Sequence, residues 1–238
     1  MSLPLVSVVI PSYNRFNYLL NAVESVLNQD YKNYEIIIVN DASDQKEYYD
    51  YKFPSKVKKL DLDPGLKSIY GFPTDAVRNK GAEVAEGEYL AFLDDDDIWF
   101  ENKLSLQVDL LESKKYKLSS TEGLFGEGVY DNSINYPLYN QEHFYKKIKK
   151  RYKKTKYYRN FSYPEIWDYD FISIHNCIIT SSVMVQKELF NKVGGFRGLP
   201  NGVGDYDCWL ALLKLTDLIY LDYPLFYYDG SHGEGRNY

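Results

Sequence analysis

The chain has 238 residues, a formal net charge of −6, and 45% apolar and 26% charged residues. This is the mixture of a soluble globular protein and excludes wholesale disorder and fibrous repeats. The acidic balance argues against a protein devoted to nucleic acid, and no run approaches the roughly 20 apolar residues that span a bilayer.

Val6–Ile10 (VSVVI) is a continuous β-branched run, as in a strand buried on both faces. Ser12–Arg15 break it, and Leu19, Leu20, Val23, Val26 and Leu27 then recur at helical spacing. Glu35–Val39 (EIIIV) reads as a second buried strand ending at Asn40–Ser43, and Val57–Leu60 as a short third. Thr74 is placed to cap a helix to about Ala85, which Gly87 ends. Glu88–Leu93 (EYLAFL) is a further strand running straight into Asp94–Asp97, and Leu104, Val108 and Leu111 mark a helix after it. Residues 116–172, rich in Tyr, Asn and Lys and weak in periodicity, read as a loop-rich insert. Beyond them, strand character returns at Ile178–Val185 and Leu218–Leu221, with helices at Lys187–Val193, before Gly194-Gly195, and at Asp205–Leu215.

This β-α-β-α order predicts an α/β fold: one Rossmann-like domain with a mostly parallel mixed sheet flanked by helices. With no linker or repeat in view, residues 1–238 read as a single domain. In such sheets ligands bind beyond the carboxyl ends of the strands. Pro11–Arg15, Asn40–Asp44 and Asp94–Asp97 all follow strands and should therefore meet at one edge. Cys177 and Cys208 each sit in an apolar segment and read as buried thiols. The start Met1–Pro4 lacks the basic and apolar regions of a secretory leader, so the expected location is a reducing cytoplasm.

Asp94-Asp95-Asp96-Asp97 is the strongest chemical signal. Four adjacent carboxylates repel one another, and folding them together is costly unless a cation or solvent relieves the field. Oxygen ligands of this kind suit Mg²⁺ or Mn²⁺, which keep waters and bind substrate phosphates. An EF-hand loop fits poorly, because Ile98 and Phe100 fall where ligands are needed. Asp41, Tyr13 and Arg78 are weaker alone: a turn residue, a rim aromatic and a surface ion pair are the plain alternatives.

Five segments taken in order resemble glycosyltransferase family 2: Ser7–Arg15 (SVVIPSYNR), Ile36–Ser43 (IIIVNDAS), Arg78–Leu93 (RNKGAEVAEGEYLAFL), Asp94–Trp99 (DDDDIW) and Gly194–Leu210 (GGFRGLPNGVGDYDCWL). The similarity covers about residues 5–228. It implies a GT-A fold, a UDP-sugar donor, a divalent metal, Mn²⁺ or Mg²⁺, and inversion at the anomeric carbon. By position, Pro11 and Tyr13 resemble the wall beside the uracil, Asp41 its imide partner, and Arg15 and Arg78 basic donor-site residues. Asp94 and Asp95 would face the ribose and diphosphate, Asp96 would ligate the metal, and Asp205 would be the general base, with Asp207 second. His232 falls where some relatives place a histidine near diphosphate and metal. Residues 1–97 would then form the nucleotide-sugar half and 98–238 the acceptor half. Two departures stand out: Gly204 where the family has Glu, and Ala211 where many members have Arg.

The chemistry of such a transfer agrees with these residue types. A leaving diphosphate needs neutralising charge, and an acceptor hydroxyl needs a carboxylate to take its proton from the face opposite the leaving group. His175 is read first as a structural histidine, with acceptor contact as the other reading. Trp167, Tyr157, Tyr158 and Tyr169 are open between a sugar-stacking wall and core. Lys146–Lys156 (KKIKKRYKKTK) carries eight cations, and without them the net charge goes from −6 to −14. It reads as a solvated face, as peripheral contact with an anionic membrane or as a site for a polyanionic acceptor, with nucleic acid last.

The function expected is transfer of a hexose or N-acetylhexosamine from a UDP-sugar to a hydroxyl of a glycan or lipid-linked glycan. The alternatives are a non-catalytic nucleotide-sugar-binding or scaffold protein, and a sugar-phosphate nucleotidyltransferase. The last would normally carry a Gly-rich phosphate loop after the first strand, and Pro11–Arg15 has no glycine.

Overall fold

The computed structural model describes residues 3–67, 74–114, 116–158, 161–199 and 203–233. Residues 200–202, within the last of the five segments, lie outside that set. The chain opens with β1 (Val6–Ser12), α1 (Phe16–Leu27), β2 (Tyr34–Asn40), α2 (Glu47–Asp50) and β3 (Val57–Asp61). Next come α3 (Thr74–Val84), β4 (Tyr89–Phe92), a two-residue β5 (Ile98–Trp99) and α4 (Lys103–Lys114). They are followed by β6 (Leu118–Gly126), α5 (Tyr145–Arg151), β7 (Ile166–Trp167) and α6 (Tyr169–Ile174). The last described elements are β8 (Met184–Gln186), α7 (Lys187–Val193), α8 (Gly204–Leu213) and β9 (Leu218–Asp229).

These strands form one sheet in the order β3-β2-β1-β4-β8-β6-β9-β5, with β7 also paired to β9. β3, β2, β1 and β4 are mutually parallel, as strand–helix alternation requires. β8 enters antiparallel to β4 and β6. β6 and β9 run parallel, while β5 and β7 oppose β9. The sheet is therefore mixed, and its parallel character belongs to the first half.

Alternate residues of the central strands feed two cores. Val9, Ile37 and Val39 pack with Val77 and Ala82 of α3 and Trp209 of α8. Val8, Ile10, Ile36 and Ile38 point the other way, onto Leu19 and Val23 of α1 and Leu104 and Val108 of α4. This is the period-two geometry of a strand, and each buried aliphatic side chain contributes about 1.5–3 kcal/mol. α3 lies unusually close to the sheet. A Cβ at Gly81 would sit 2.4 Å from Val9 Cγ1 and 3.0 Å from Val39 Cγ2, so only glycine lets the helix backbone rest there. That contact sets Arg78, one turn earlier, over the carboxyl edge of the strands.

The 116–172 segment is more ordered than its composition predicts. Leu118–Gly126 is an interior strand that apolar patterning misses, because Ser119, Ser120, Thr121 and Glu122 are polar yet buried. Gln107 Nε2 donates to Ser119 Oγ at 3.0 Å, and the hydroxyls of Ser120 and Ser182 lie 2.7 Å apart. Glu122 accepts from the amides of Gly123, Asn140 and Gln141 at 2.9–3.0 Å.

Conversely, the strand expected over Ile178–Val185 is confined to Met184–Gln186, and Thr180–Ser182 form a 3-10 turn. β9 runs to Asp229, well past Leu221. Trp167 is fully buried and stacks on Tyr220 with centroids 4.2 Å apart, and Tyr157 packs edge-on against Phe171. Trp167 and Tyr157 serve the core, Tyr158 and Tyr169 are exposed, and none of the four lines the cavity described below. Cys177 and Cys208 are buried free thiols, as expected.

Candidate active site

The register brings the polar loops together. Ser12 pairs with Asn40 at the ends of β1 and β2, and Val9 with Phe92 at the end of β4. Asn14 N donates to Ser43 Oγ at 2.9 Å, and Asp44 N to Asn14 Oδ1 at 2.7 Å. Ser12 Oγ donates to Asp95 Oδ2 at 2.7 Å, tying the first loop to the acidic one. Over this edge lies a cavity of about 610 Å³, lined by Pro11, Arg15, Arg78, the run Asp94–Asp96, Asp205 and His232 among others.

The four aspartates do four different things. Arg78 donates to Asp94 Oδ1 at 2.5 Å. Arg15 Nη1 reaches Asp95 Oδ1 at 3.1 Å and Asp96 Oδ2 at 2.9 Å, both pairs almost wholly shielded from solvent. His232 Nδ1 stands 4.0 Å from that same Asp96 oxygen. Asp97 turns inward, accepting from Ser181 Oγ at 2.5 Å and from the amide of Asp229 at 2.9 Å. Burial pushes the Asp95 carboxyl up to about 6 against the pull of Arg15. It raises Asp96 well above the carboxylate range too, reinforced by the neighbouring charges of Asp95 and Asp94. The site concentrates negative charge in a dry place, the condition under which a cation or an acid proton is favoured.

Ser181 and Asp229 hold this loop in place, and nothing in their sequence context marks them. Ser181 Oγ accepts from the amide of Asp94 at 3.1 Å, while its carbonyl accepts from Trp99 Nε1 at 2.8 Å. Asp229 is fully buried and accepts from the amides of Gly128, Ser231 and Gly233, shaping the turn that carries His232.

Asp205 sits in the first turn of α8 and faces the same cavity as the acidic loop. Burial, with Asp75 and Asp94 nearby, raises its carboxyl to about 6 although Arg78 opposes the shift. Asp207, the other candidate base, is held by Arg197 Nε at 2.6 Å and does not line the cavity. Arg78 is no surface ion pair: it is buried between Asp94 and Asp75, the latter at 3.2 Å. Its Nε, also buried, has no hydrogen-bond partner among the described residues.

Asp75 is the cavity carboxylate that sequence reading missed. The backbone N–H of Gly204 bonds to it. A Cβ at position 204 would lie 2.1 Å from Asp75 Oδ2 and 2.3 Å from the carbonyl oxygen of Arg197. Asp75 thus fills the space that a side chain at 204 would need, and the departure at Gly204 leaves no gap. Gly204→Ala is expected to cost about 1–3 kcal/mol, as overpacking does. At about 2–4 °C per kcal/mol for a chain of this size, calorimetry would show it. Adding Asp75→Ala should recover part of the loss, because one of the two clashes is removed.

Tyr13 and Asp41 lie beside the cavity and not in its lining. Lys67 Nζ stands 4.4 Å from the Tyr13 ring centroid. Asp41 accepts from the amides of Leu66 at 2.5 Å and Lys67 at 3.2 Å. His175 does line the cavity. Among the described residues no three His, Cys, Asp or Glu side chains gather closely enough to hold a metal by themselves. Asp96 with His232 is a two-donor set, which fits a small divalent cation that completes its shell with phosphate oxygens and water.

With fold and site in view, comparison with known proteins assigns the class. The model described as Glycosyl transferase family 2 matches residues 7–190, and the chain belongs to that family. An uncharacterized glycosyltransferase of Rickettsia typhi is 30% identical over 93% of this chain and 62% of its own length. One of Rickettsia bellii is 42% identical over 55% of this chain and 19% of its own. An Escherichia coli UDP-Glc:α-D-GlcNAc-diphosphoundecaprenol β-1,3-glucosyltransferase is 31% identical over 56% of this chain and 53% of its own. The chain thus spans less than two thirds of the length of these relatives. Crystallised Staphylococcus aureus TarS 1–349 has a TM-score of 0.65 at 18% identity, over 96% of this chain and 61% of that one. The same TarS segment in complex with UDP-GlcNAc gives 0.61 at 18% identity, over 98% and 61%. These likenesses carry the fold, a single GT-A domain. No helix among the described residues is long and apolar enough to cross a membrane.

Proposed function

We propose that the chain transfers a hexose or N-acetylhexosamine from a UDP-sugar to a hydroxyl of a glycan or lipid-linked glycan, with inversion. The observation that carries this reading is one cavity shared by the Asp94–Asp96 loop and the carboxylate of Asp205, which comes from the second half of the chain. The printed names of the E. coli relative and of the UDP-GlcNAc-bound TarS structure support the donor and acceptor classes. Residues up to Asp97, joined by His232, supply the donor side, and α8 with the rest of the segment after Asp97 supplies the acceptor side.

Arg15 and Arg78 hold the acidic loop in register, and Arg78 Nε is a buried donor available to a ligand oxygen. Asp96 and His232 would hold a Mn²⁺ or Mg²⁺ ion, which supplies Lewis-acid neutralisation of the leaving diphosphate. Pro11 lies against the donor, with Tyr13 and Asp41 at its uracil end. Asp205 takes the proton of the attacking hydroxyl. Its carboxyl, raised by burial to about 6, is a stronger base than an ordinary aspartate.

A base acts only when ionised, so transfer is expected to rise with pH through about 6 and to level off above that. The test is turnover of UDP-glucose and UDP-N-acetylglucosamine with Mn²⁺. Slow acceptor-independent hydrolysis supports an enzyme; tight UDP-sugar binding with no hydrolysis or transfer would favour the scaffold reading.

A further inference from the structure

The cavity has two electrically opposite ends. Asp75, Asp94–Asp96 and Asp205 line one of them, and the cations acting most strongly on Asp95, Asp96 and Asp205 are Arg15 and Arg78. Much of the remaining lining comes from Tyr139–Arg151, including α5, and from the residues before β8. Lys147 and Arg151 lie four apart on α5 and therefore on one face. Both line the cavity, as do the apolar Phe144 and Ile148. Ile148 is buried and anchors the helix, so these two positions are directed by packing.

Of the eight cations in Lys146–Lys156, only Lys156 meets a carboxylate among the described residues, Asp170 at 3.8 Å. Lys147 lies 5.4 Å from the Phe144 ring. His175 faces the same space, and its proton affinity is lowered by burial and then by Arg151 and Lys147. Two exposed cations on the wall of a cleft, with no carboxylate at ion-pair distance among the described residues, attract an anion. Neither cation pairs with the acidic loop, whose partners are Arg15 and Arg78, and this distinguishes that anion from the donor diphosphate.

We infer that Lys147 and Arg151 bind an oxyanion carried by the acceptor, a phosphate or carboxylate group close to the hydroxyl that is glycosylated. This rests on the donor reading above and adds to it the chemical class of the acceptor. The outward lysines of the same block, Lys150 and Lys153 among them, raise the local potential without touching the ligand. Arg supplies a planar fork for oxyanions and Lys a movable point charge, so the pair fits either anion.

The test is calorimetric titration of three soluble probes into protein saturated with UDP and Mn²⁺: N-acetylglucosaminyl hexyl diphosphate, hexyl glucuronide and neutral hexyl N-acetylglucosaminide. At least one charged probe should bind about tenfold or more tightly than the neutral one, as for a charge-assisted contact, and the preference should weaken with added salt. Lys147→Ala/Arg151→Ala should erase the preference and leave UDP affinity unchanged, while Lys150→Ala/Lys153→Ala should keep it. Equal binding of all three probes, or binding of none, overturns the inference. So does a loss confined to the Lys150/Lys153 variant, which would make the block a diffuse surface such as a membrane contact. If the Lys147/Arg151 variant loses UDP affinity, the cations belong to the donor site. UDP binding is measured separately, so its absence in the native protein counts against the donor reading and not against the probe preference.

Discussion

Asp205→Asn is expected to lower the transfer rate by about 10²–10⁴-fold, the range for removal of a general base, while UDP affinity stays at the native level. The substitution keeps the shape of the residue and the acceptor oxygen that bonds the Tyr206 amide at 2.5 Å, so folding is spared. It removes only the ability to take a proton. A second readout moves in the opposite direction. The carboxyl of Asp205 is raised by burial from the ordinary range to about 6. Its contribution to stability is therefore full below the pKa of the unfolded chain and is lost as pH rises through about 6. Asparagine carries no such penalty. The variant should melt higher than the native protein at pH 8 and no higher at pH 3, while being far less active at every pH above 6. Unchanged turnover would remove Asp205 from the mechanism and return Asp207 to consideration.

The parallel half of the fold was legible because it is written in apolar runs. Val6–Ile10 and Glu35–Val39 are buried on both faces, and no other element accepts so many β-branched residues in a row. The convergence of three loops followed from topology alone. β6 was illegible for the opposite reason: it is a central strand with buried Ser119, Ser120 and Glu122, whose polar groups are paired mostly with residues far apart in the chain. The same blindness hid Ser181. It stands in a segment read as a strand, and its role is visible only when Asp97, the amide of Asp94 and Trp99 are seen to meet on it. From the sequence alone a surface ion pair was the plain alternative for Arg78, and the close seating of α3 at Gly81 goes with its burial between two carboxylates. Asp75 needed Gly204 to be noticed. A missing side chain in one helix is explained by a side chain from another, and no local pattern records that.

Asp96→Ala is expected to abolish the dependence of UDP binding on Mn²⁺ and to reduce transfer by at least 10²-fold, within the several kcal/mol that metal stabilisation of charge supplies. Of the cavity aspartates, Asp96 is the one with a second metal-binding type beside it, His232 Nδ1 at 4.0 Å. Asp95 is already bound on both oxygens, by Ser12 and Arg15, and Asp94 is held by Arg78. Asp97 is sealed behind the loop. Asp95 stays on Arg15, and Asp94 and Asp75 stay on Arg78, after the substitution, so the loop keeps its anchors and loses one member of a repelling set. The metal-free variant should accordingly melt no lower than the native protein, and the rise in melting temperature that Mn²⁺ with UDP brings by mass action should disappear. His232→Ala should weaken the same Mn²⁺ effect to a smaller degree, because water can replace an imidazole more readily than a carboxylate. If Asp95→Ala rather than Asp96→Ala removes the Mn²⁺ response, the cation sits one residue earlier, on the Ser12 side of the cavity.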